Sequence, residues 1–507
     1  MYEITLPVTR EVFWLLATLV GIIAFSFVIY AALPRKDDGD DSLNIKDVLG
    51  AKKLSEPLFA LLVVLWTVLA MCLFGGLVAT IGKIAQLVIV GVETVEGKEA
   101  RFPLIQLAAL TATLGATVAL PFTIIRLRLT HEQTATATAS LFNQKITEAA
   151  ADLHAQRQVT KDFDRKRETV WEDDVVRRNA AIDRLEGLVR EEPQEAARVS
   201  RLLSVYVREL SDEIPAQPTP DTDDAEDMEY WAGHLRLPRS DMQNAVQVLG
   251  RLAKIKGVKS QDLEIDLRKA NLQAMDLRGL SFEKANFSEA NVEAAHFSEA
   301  NLHGTDFFLA SCIHANFRDT NLQSTSFSEA NLTEAVFQGA DLIEANFLSA
   351  RCQRANFSVA NLRGVDFQTS EMRSAVLIHA KLQGAVFRFV DMNSANFSYA
   401  NLEGTIFDSS DMKGMELVGA KFSMHTILHK INLTGTSVRS ADFSEVPEIQ
   451  EYLPQVFGDS TTILPPDIPS PPHWSSGGPD SNDYFTQWRE WAAGKGIQIP
   501  ERGYRMG

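Results

Sequence analysis

His425 and His429 stand four residues apart, a spacing that on a helix would aim two imidazoles at one metal ion. They fall instead on a five-residue beat that places them on different faces, so no metal site is assigned to them. The acidic run Glu213–Glu229, EIPAQPTPDTDDAEDME, has the charge of a calcium loop, but Glu226 stands where such a loop needs glycine. The chain has three cysteines, with neither a disulfide framework nor a zinc spacing. No phosphate-cradling glycine motif, nucleophile elbow or HExxH helix occurs. Triplets such as Asn286-Phe287-Ser288 match the glycosylation pattern only because a repeat spells them. The sequence therefore predicts a protein that is not an enzyme: no catalytic, cofactor-binding or metal-binding residue, no cofactor and no small-molecule substrate.

The element that carries most of these residues is a repeat. From Leu267 a large apolar residue recurs at every fifth position, through Leu272, Leu277, Phe282 and Phe287, for 33 consecutive units up to Ile427. The beat then slips by one residue and resumes at Leu433, Val438 and Phe443. Two residues before each centre stands something small (Ala285, Ala290, Ala295, Ala300, Thr305), with mostly Asn or Asp between. A period of five suits neither a helix nor a flat strand. It suits a chain that turns a corner every five residues and stacks coil on coil, centres and small residues inward.

Sorted by every twentieth residue, the centres fall into columns. Phe287, Phe307, Phe327 and Phe347 share one, and Leu302, Leu322, Leu342 and Leu362 another. A third collects Val292, Cys312, Leu332, Cys352, Met372, Met392 and Met412. That segregation predicts twenty residues per coil, four sides and about nine coils, a rod roughly 43 Å long at ~4.8 Å per coil. Cys312 and Cys352 are then two coils apart, roughly 10 Å, too far for a disulfide.

The pattern A(N/D)(L/F)xx resembles the pentapeptide-repeat family. The resemblance implies an all-β right-handed quadrilateral β-helix, a solenoid that we place at 262–445. It also implies an interaction module, since members of the family serve as such and some act as acidic DNA mimics.

The N-terminal part differs. VFWLLATLVGIIAFSFVIYAAL, at 12–33, is long enough to cross a bilayer. Further apolar runs at about 58–81 and 103–125 make three predicted transmembrane helices within an anchor of residues 1–129; IGKIAQLVIVGV leaves open whether 82–92 extends the second. No Asp, Glu, Lys, Arg or His lies inside these spans, which argues against an ion path. Arg35, Lys36, Lys46, Lys52 and Lys53 in the first loop, and Arg126 and Arg128 after the third span, outweigh the basic residues of the other loops. The charge bias puts the N-terminus outside and the repeat in the cytoplasm, as a multi-pass protein of the inner (plasma) membrane.

Between anchor and rod, residues 130–212 read as an α-helical connector. Ala181, Ile182, Leu185 and Leu188 form one apolar stripe; Val199, Leu202, Leu203, Tyr206, Val207 and Leu210 form a second, with Pro193 between them. Two antiparallel helices are expected. Residues 213–239 read as a solvated acidic linker containing proline. Ser240 opens a capping helix in 240–257, ended by Gly257, because an open solenoid end is an exposed strand edge. Residues 446–507 form a C-terminal cap and Pro-rich tail, in which Phe485, Trp488 and Trp491 make an aromatic stripe expected to dock on the rod. The blocks AIDRLEGL, LLSVYVREL, LPRSDMQNAVQVLGR, FGDSTTILP and PPHW resemble membrane-anchored pentapeptide-repeat proteins of alphaproteobacterial type.

Two functions follow. The first is a membrane-tethered cytoplasmic scaffold, its partners the lipid bilayer, through three transmembrane helices, and a cytoplasmic protein. The second is an acidic DNA-mimic inhibitor of a topoisomerase-like DNA-binding enzyme. No nucleic-acid partner is expected: 49 Lys and Arg against 66 Asp and Glu leave a net charge of −17, where a nucleic-acid binder carries a basic face.

Overall fold

Asn271, Asn291 and Ser311 sit one above another, joined by parallel bridges at steps of twenty residues. The same step links coils on all four sides, as in Asp276 to His296 and Ser281 to Asn301. The computed structural model describes residues 56–89, 101–163, 166–222, 224–237, 239–475 and 481–499. The chain forms two units, residues 1–143 and 144–507. The predicted first span, 12–33, lies outside the described residues.

Among the described residues of the first unit are α1 (Glu56–Ile89) and most of α2 (Arg101–Asp152), and α1 runs without a break past Ile81. Both contain stretches long and apolar enough to cross a membrane, Leu58–Gln86 and Phe102–Asp152. The Trp66 indole N–H donates to the Thr117 carbonyl at 3.1 Å, which ties α1 to α2.

The second unit opens with a difference from the predicted all-helical connector. After α2 ends at Asp152, β1 (Gln156–Phe163) and β2 (Lys166–Asp173) form an antiparallel hairpin with Val159 opposite Val170. Val159, Thr160, Thr169 and Val170 put β-branched residues at its middle, which favours strand over helix. The predicted helix pair follows as α3 (Val175–Glu191) and α4 (Ala196–Glu213), with Pro193 at the start of a 3-10 turn. Residues 213–239 are not simply a linker: they contain α5 (Ala225–His234), and their first residues lie on the rod. Then α6 (Ser240–Leu252) packs against both α3 and α4. Its cap position is Arg239, so Ser240 is the first helical residue rather than the cap.

A polar lock joins these pieces. Asp241 is fully buried and takes hydrogen bonds from Arg239 Nε (2.9 Å) and the Tyr206 hydroxyl (2.8 Å). Arg239 also reaches Asp173 at the hairpin base, where Arg178 donates at 2.5 Å.

Each repeat unit follows one local recipe. The Phe287 N–H donates to Asp306 O of the next coil at 2.7 Å. The Ala290 N–H then closes a turn onto Phe287 O at 2.9 Å, with Glu289 at φ 59°. The frequent Asn or Asp before each centre has a job: Asn286 Oδ1 accepts the Ser288 N–H at 2.8 Å, and Asp306 Oδ1 that of Phe308 at 3.0 Å. Inside, Phe287, Phe307 and Phe327 stack at 4.9 and 5.0 Å. Edge-on contacts, 6.0 Å and 86° between Phe287 and Phe297, join this column to the Phe297 column, and the buried Leu302 and Cys312 columns complete the interior.

One predicted centre is wrong. Phe407 pairs with Leu428, twenty-one residues on, and Ile427 faces outward at 48% exposure. The extra residue therefore enters between Phe422 and Leu428, one unit earlier than the apolar beat suggests. Three coils there widen into strands β3 (Val386–Arg388), β4 (Ile406–Asp408) and β5 (Ile427–His429).

Both ends of the stack are closed. On the first coil Asp266, Asn271, Asp276 and Ser281 each point a backbone N–H outward, one per side. They donate to Ser204 Oγ (3.2 Å), Ser211 Oγ (2.9 Å), Gln243 Oε1 (3.3 Å) and Gly250 O (2.9 Å). A Cβ on Gly250 would lie 2.7 Å from Leu280, so glycine lets α6 come this close. At the far end β6 (Thr436–Ser437) pairs with β7 (Val456–Phe457), just after the short α7 (Ile449–Tyr452). Helix α8 (Ser481–Gly494) then packs Tyr484, Trp488 and Ala492 against Phe457. The Trp488 N–H reaches Gly435 O at 2.8 Å. The aromatic stripe does dock on the rod, but the wholly buried line is Tyr484–Trp488–Ala492, while Phe485 and Trp491 are only partly covered.

Candidate interaction surface

Because the centre of each unit points inward, the residue before it and the two after it form the surface. The rod thus offers four sides, named here by an inward residue: the Phe287, Cys312, Phe297 and Leu302 sides.

The Cys312 side is largely taken. Near the first coils the chain after α4 runs along it. Asn271 Nδ2 donates to Ile214 O (3.0 Å), Gln217 N–H to Gln273 Oε1 (2.7 Å), and Thr219 Oγ1 to Glu293 Oε1 (3.0 Å). Glu293 is buried as a result, and receives Gln273 Nε2 (2.6 Å) and Ser311 Oγ (2.6 Å) as well. At the other end Ile497 lies against the bare Cα positions of Gly414 and Gly435. Between them runs a ladder of ion pairs: His314 Nε2 to Glu334 at 3.0 Å, Arg354 Nε to Glu334 at 2.6 Å, and Arg373 Nε to Asp391 at 2.6 Å. Burial pushes the His314 pKa below its usual value, against the pull of Glu334 and of Glu229 on α5.

On the other sides, outward apolar side chains break a polar surface. Phe308, Leu309, Leu348, Phe389 and Ile427 belong to the Phe287 side, and Val359 and Tyr399 to the Phe297 side. His379 lies flat on Tyr399, centroids 5.0 Å apart.

His425 and His429 are not used together: His429 Nδ1 pairs with Asp408 Oδ1 at 2.8 Å, while the His425 backbone N–H points at Ser423 Oγ. Among the described residues, no three His, Cys, Asp or Glu side chains are placed to hold a metal ion. Cys312 and Cys352 are free and buried, and burial pushes both thiols far above their usual range. Sequence reasoning missed the segment along the Cys312 side. It is held largely through backbone groups of Ile214 and Gln217, which composition does not record. Ser200, Ser204 and Ser211, small polar residues on the buried face of α4, signal the cap on the first coil instead.

The family model for pentapeptide repeats matches residues 265–304, 310–347, 350–388 and 385–423. This part of the chain is a pentapeptide-repeat solenoid. Solved structures share likeness with it. HetL, a pentapeptide repeat protein involved in heterocyst differentiation regulation from the cyanobacterium Nostoc, is 19% identical, with 38% of this chain and 83% of that one covered and a TM-score of 0.33. A pentapeptide repeat protein of the Arabidopsis thaliana thylakoid lumen is 27% identical, over 21% and 78%, with a TM-score of 0.20. QnrB1, a plasmid-mediated fluoroquinolone resistance protein, is 17% identical in its trypsin-treated form, over 39% and 91%, with a TM-score of 0.26. No curated protein matches the chain.

Proposed function

We propose that the chain is a membrane-tethered interaction module: α1 and α2 lie in a bilayer, and the pentapeptide-repeat rod displays its outer residues to a cytoplasmic protein. The observation that carries the reading is apolar exposure on α1 and α2, such as Leu65, Phe102 and Phe122, each more than 60% exposed. Helices that leave such surface uncovered need an apolar surrounding. The rod adds a rigid core whose outer positions vary freely, which suits display rather than turnover.

The reading as an acidic DNA mimic has less support. Such a mimic needs an unbroken row of free carboxylates, whereas several rod carboxylates here are paired. Asp266 meets Arg268, Asp276 meets Arg278, and Asp391 meets Arg373. Failure of the isolated chain to inhibit a topoisomerase in a supercoiling assay is the expected result.

The test is affinity capture from native membranes using the full chain and a chain without residues 1–129. The full chain should sediment with membranes and retain a protein partner through the rod. A monomer in the soluble fraction that retains nothing would overturn the reading.

A further inference from the structure

Strands β3, β4 and β5 put Val386, Ile406 and Ile427 in register, one above another. Their neighbours Phe387, Phe407 and Leu428 are buried, so these three side chains face outward. Earlier coils carry polar residues in the same column, among them Asp306, Asn346 and Asp366. A short apolar ladder thus replaces an Asn/Asp ladder on one part of the rod.

The corner beside this ladder is bare. Gly364, Gly384 and Gly404 occupy it in consecutive coils. Ser324 and Glu344 hold the same corner in the coils before, at φ 55° and 57°, so the backbone alone does not demand three glycines. A Cβ built on Gly384 meets nothing within 4 Å. Another backbone can therefore approach the rod closely here.

Across the corner, on the Leu302 side, Lys381 and Lys421 are both exposed, two coils or roughly 10 Å apart. Neither forms an ion pair among the described residues, whereas Arg268, Arg278, Arg373 and Lys413 all do. On a chain with net charge −17, these two lysines place positive charge beside the apolar ladder. Past the lysines the exposed Tyr399 ring rises from the next corner, seated on Gly419.

We propose that this edge docks an extended acidic segment of the protein partner, its carboxylates on Lys381 and Lys421 and its apolar side chains on Val386, Ile406 and Ile427. The proposal rests on the interaction-module reading and gives the partner's chemistry. The charge sign selects an acidic ligand, the β-branched ladder adds apolar contact, and Tyr399 supplies a rigid aromatic wall of the kind that anchors interfaces. Two lysines with Glu403 between them are too few to hold a phosphate backbone, which separates a peptide from a nucleic acid.

The experiment is selection of random twelve-residue displayed peptides on the full chain in lipid nanodiscs. The Lys381→Glu/Lys421→Glu chain is the counter-target, and heparin and duplex DNA are separate binding arms. Circular dichroism of both chains should coincide, since both lysines are exposed. The proposal expects selected peptides rich in Asp and Glu interspersed with Val, Ile or Leu. Their affinity should fall about tenfold or more on the charge-reversed chain, and again on Ile406→Asp. Neutral or basic winners, equal binding to both chains, no enrichment, or binding of heparin or DNA alone would each overturn it. If the charge-reversed chain still retains the native partner while deletion of 262–445 releases it, the docking edge is wrong and the interaction module stands. If the unaltered chain retains no partner, the broader reading fails first.

Discussion

Phe347 stacks on Phe367 with ring centroids 4.8 Å apart, and its other face lies 5.1 Å from Phe327. It is wholly buried, while Ser349, two residues on, stands at an exposed corner. Phe347→Ala leaves a cavity in the middle of a stacked column and should cost ~3–5 kcal/mol. Ser349→Ala should stay within ~0.5 kcal/mol. Urea unfolding followed by circular dichroism checks both; equal effects would place Phe347 outside.

The closed end makes a second prediction. Ser211→Ala leaves the buried Asn271 N–H without its 2.9 Å acceptor, at a cost of ~1–3 kcal/mol. Hydrogen exchange should speed up around Asn271 and stay unchanged near Phe347. Uniform acceleration along the rod would mean that the cap does not act locally.

A third concerns the polar lock. Arg239→Met removes the cation facing Asp241, a carboxylate with no exposed surface. An uncompensated buried charge costs ~3–5 kcal/mol. Thermal melting should fall accordingly, and Asp241→Asn in the same chain should restore part of the loss. No recovery would mean that the cost comes from packing of the arginine stem.

Acid should expose the joint between α4 and the first coil. Arg268 holds the Asp266 carboxyl at about 2, below its usual 3.8; burial opposes the shift and Arg208 on α4 adds to it. With the folded pKa depressed, this contribution to stability is complete above pH 3.8 and is lost as pH falls towards 2. Subtracting the Asp266→Asn stability profile from that of the unaltered chain should give a step in that window. A flat difference would show that the pairs with Arg268 and Arg208 are solvent-screened.

Much of this architecture is legible in residue order. Columns of Phe, Leu and the Cys/Met set fixed four sides and a twenty-residue coil, because an inward position repeated many times leaves an unmistakable record. The slip at Leu428 was displaced by one unit because Ile427 and Leu428 are both apolar, and only pairing with Phe407 tells which is inward. The hairpin was hidden by its charge: KRETVWED carries helix-compatible residues around a few β-branched ones. The run after α4 reads as solvated by composition, yet backbone groups of Ile214 and Gln217 bind the rod, and backbone groups leave no trace in composition. The candidate docking edge escaped for a related reason. Val386, Ile406 and Ile427 are twenty and twenty-one residues apart, and they become one patch only when the coils are stacked.

The most direct test of the membrane-tethered interaction module is capture of the full chain from carbonate-washed native membranes, alongside a chain lacking residues 262–445. The account predicts that both chains stay in the membrane pellet and that only the full one retains a stoichiometric protein partner. Release of the full chain into the soluble fraction, or the same proteins recovered with and without the rod, would contradict it.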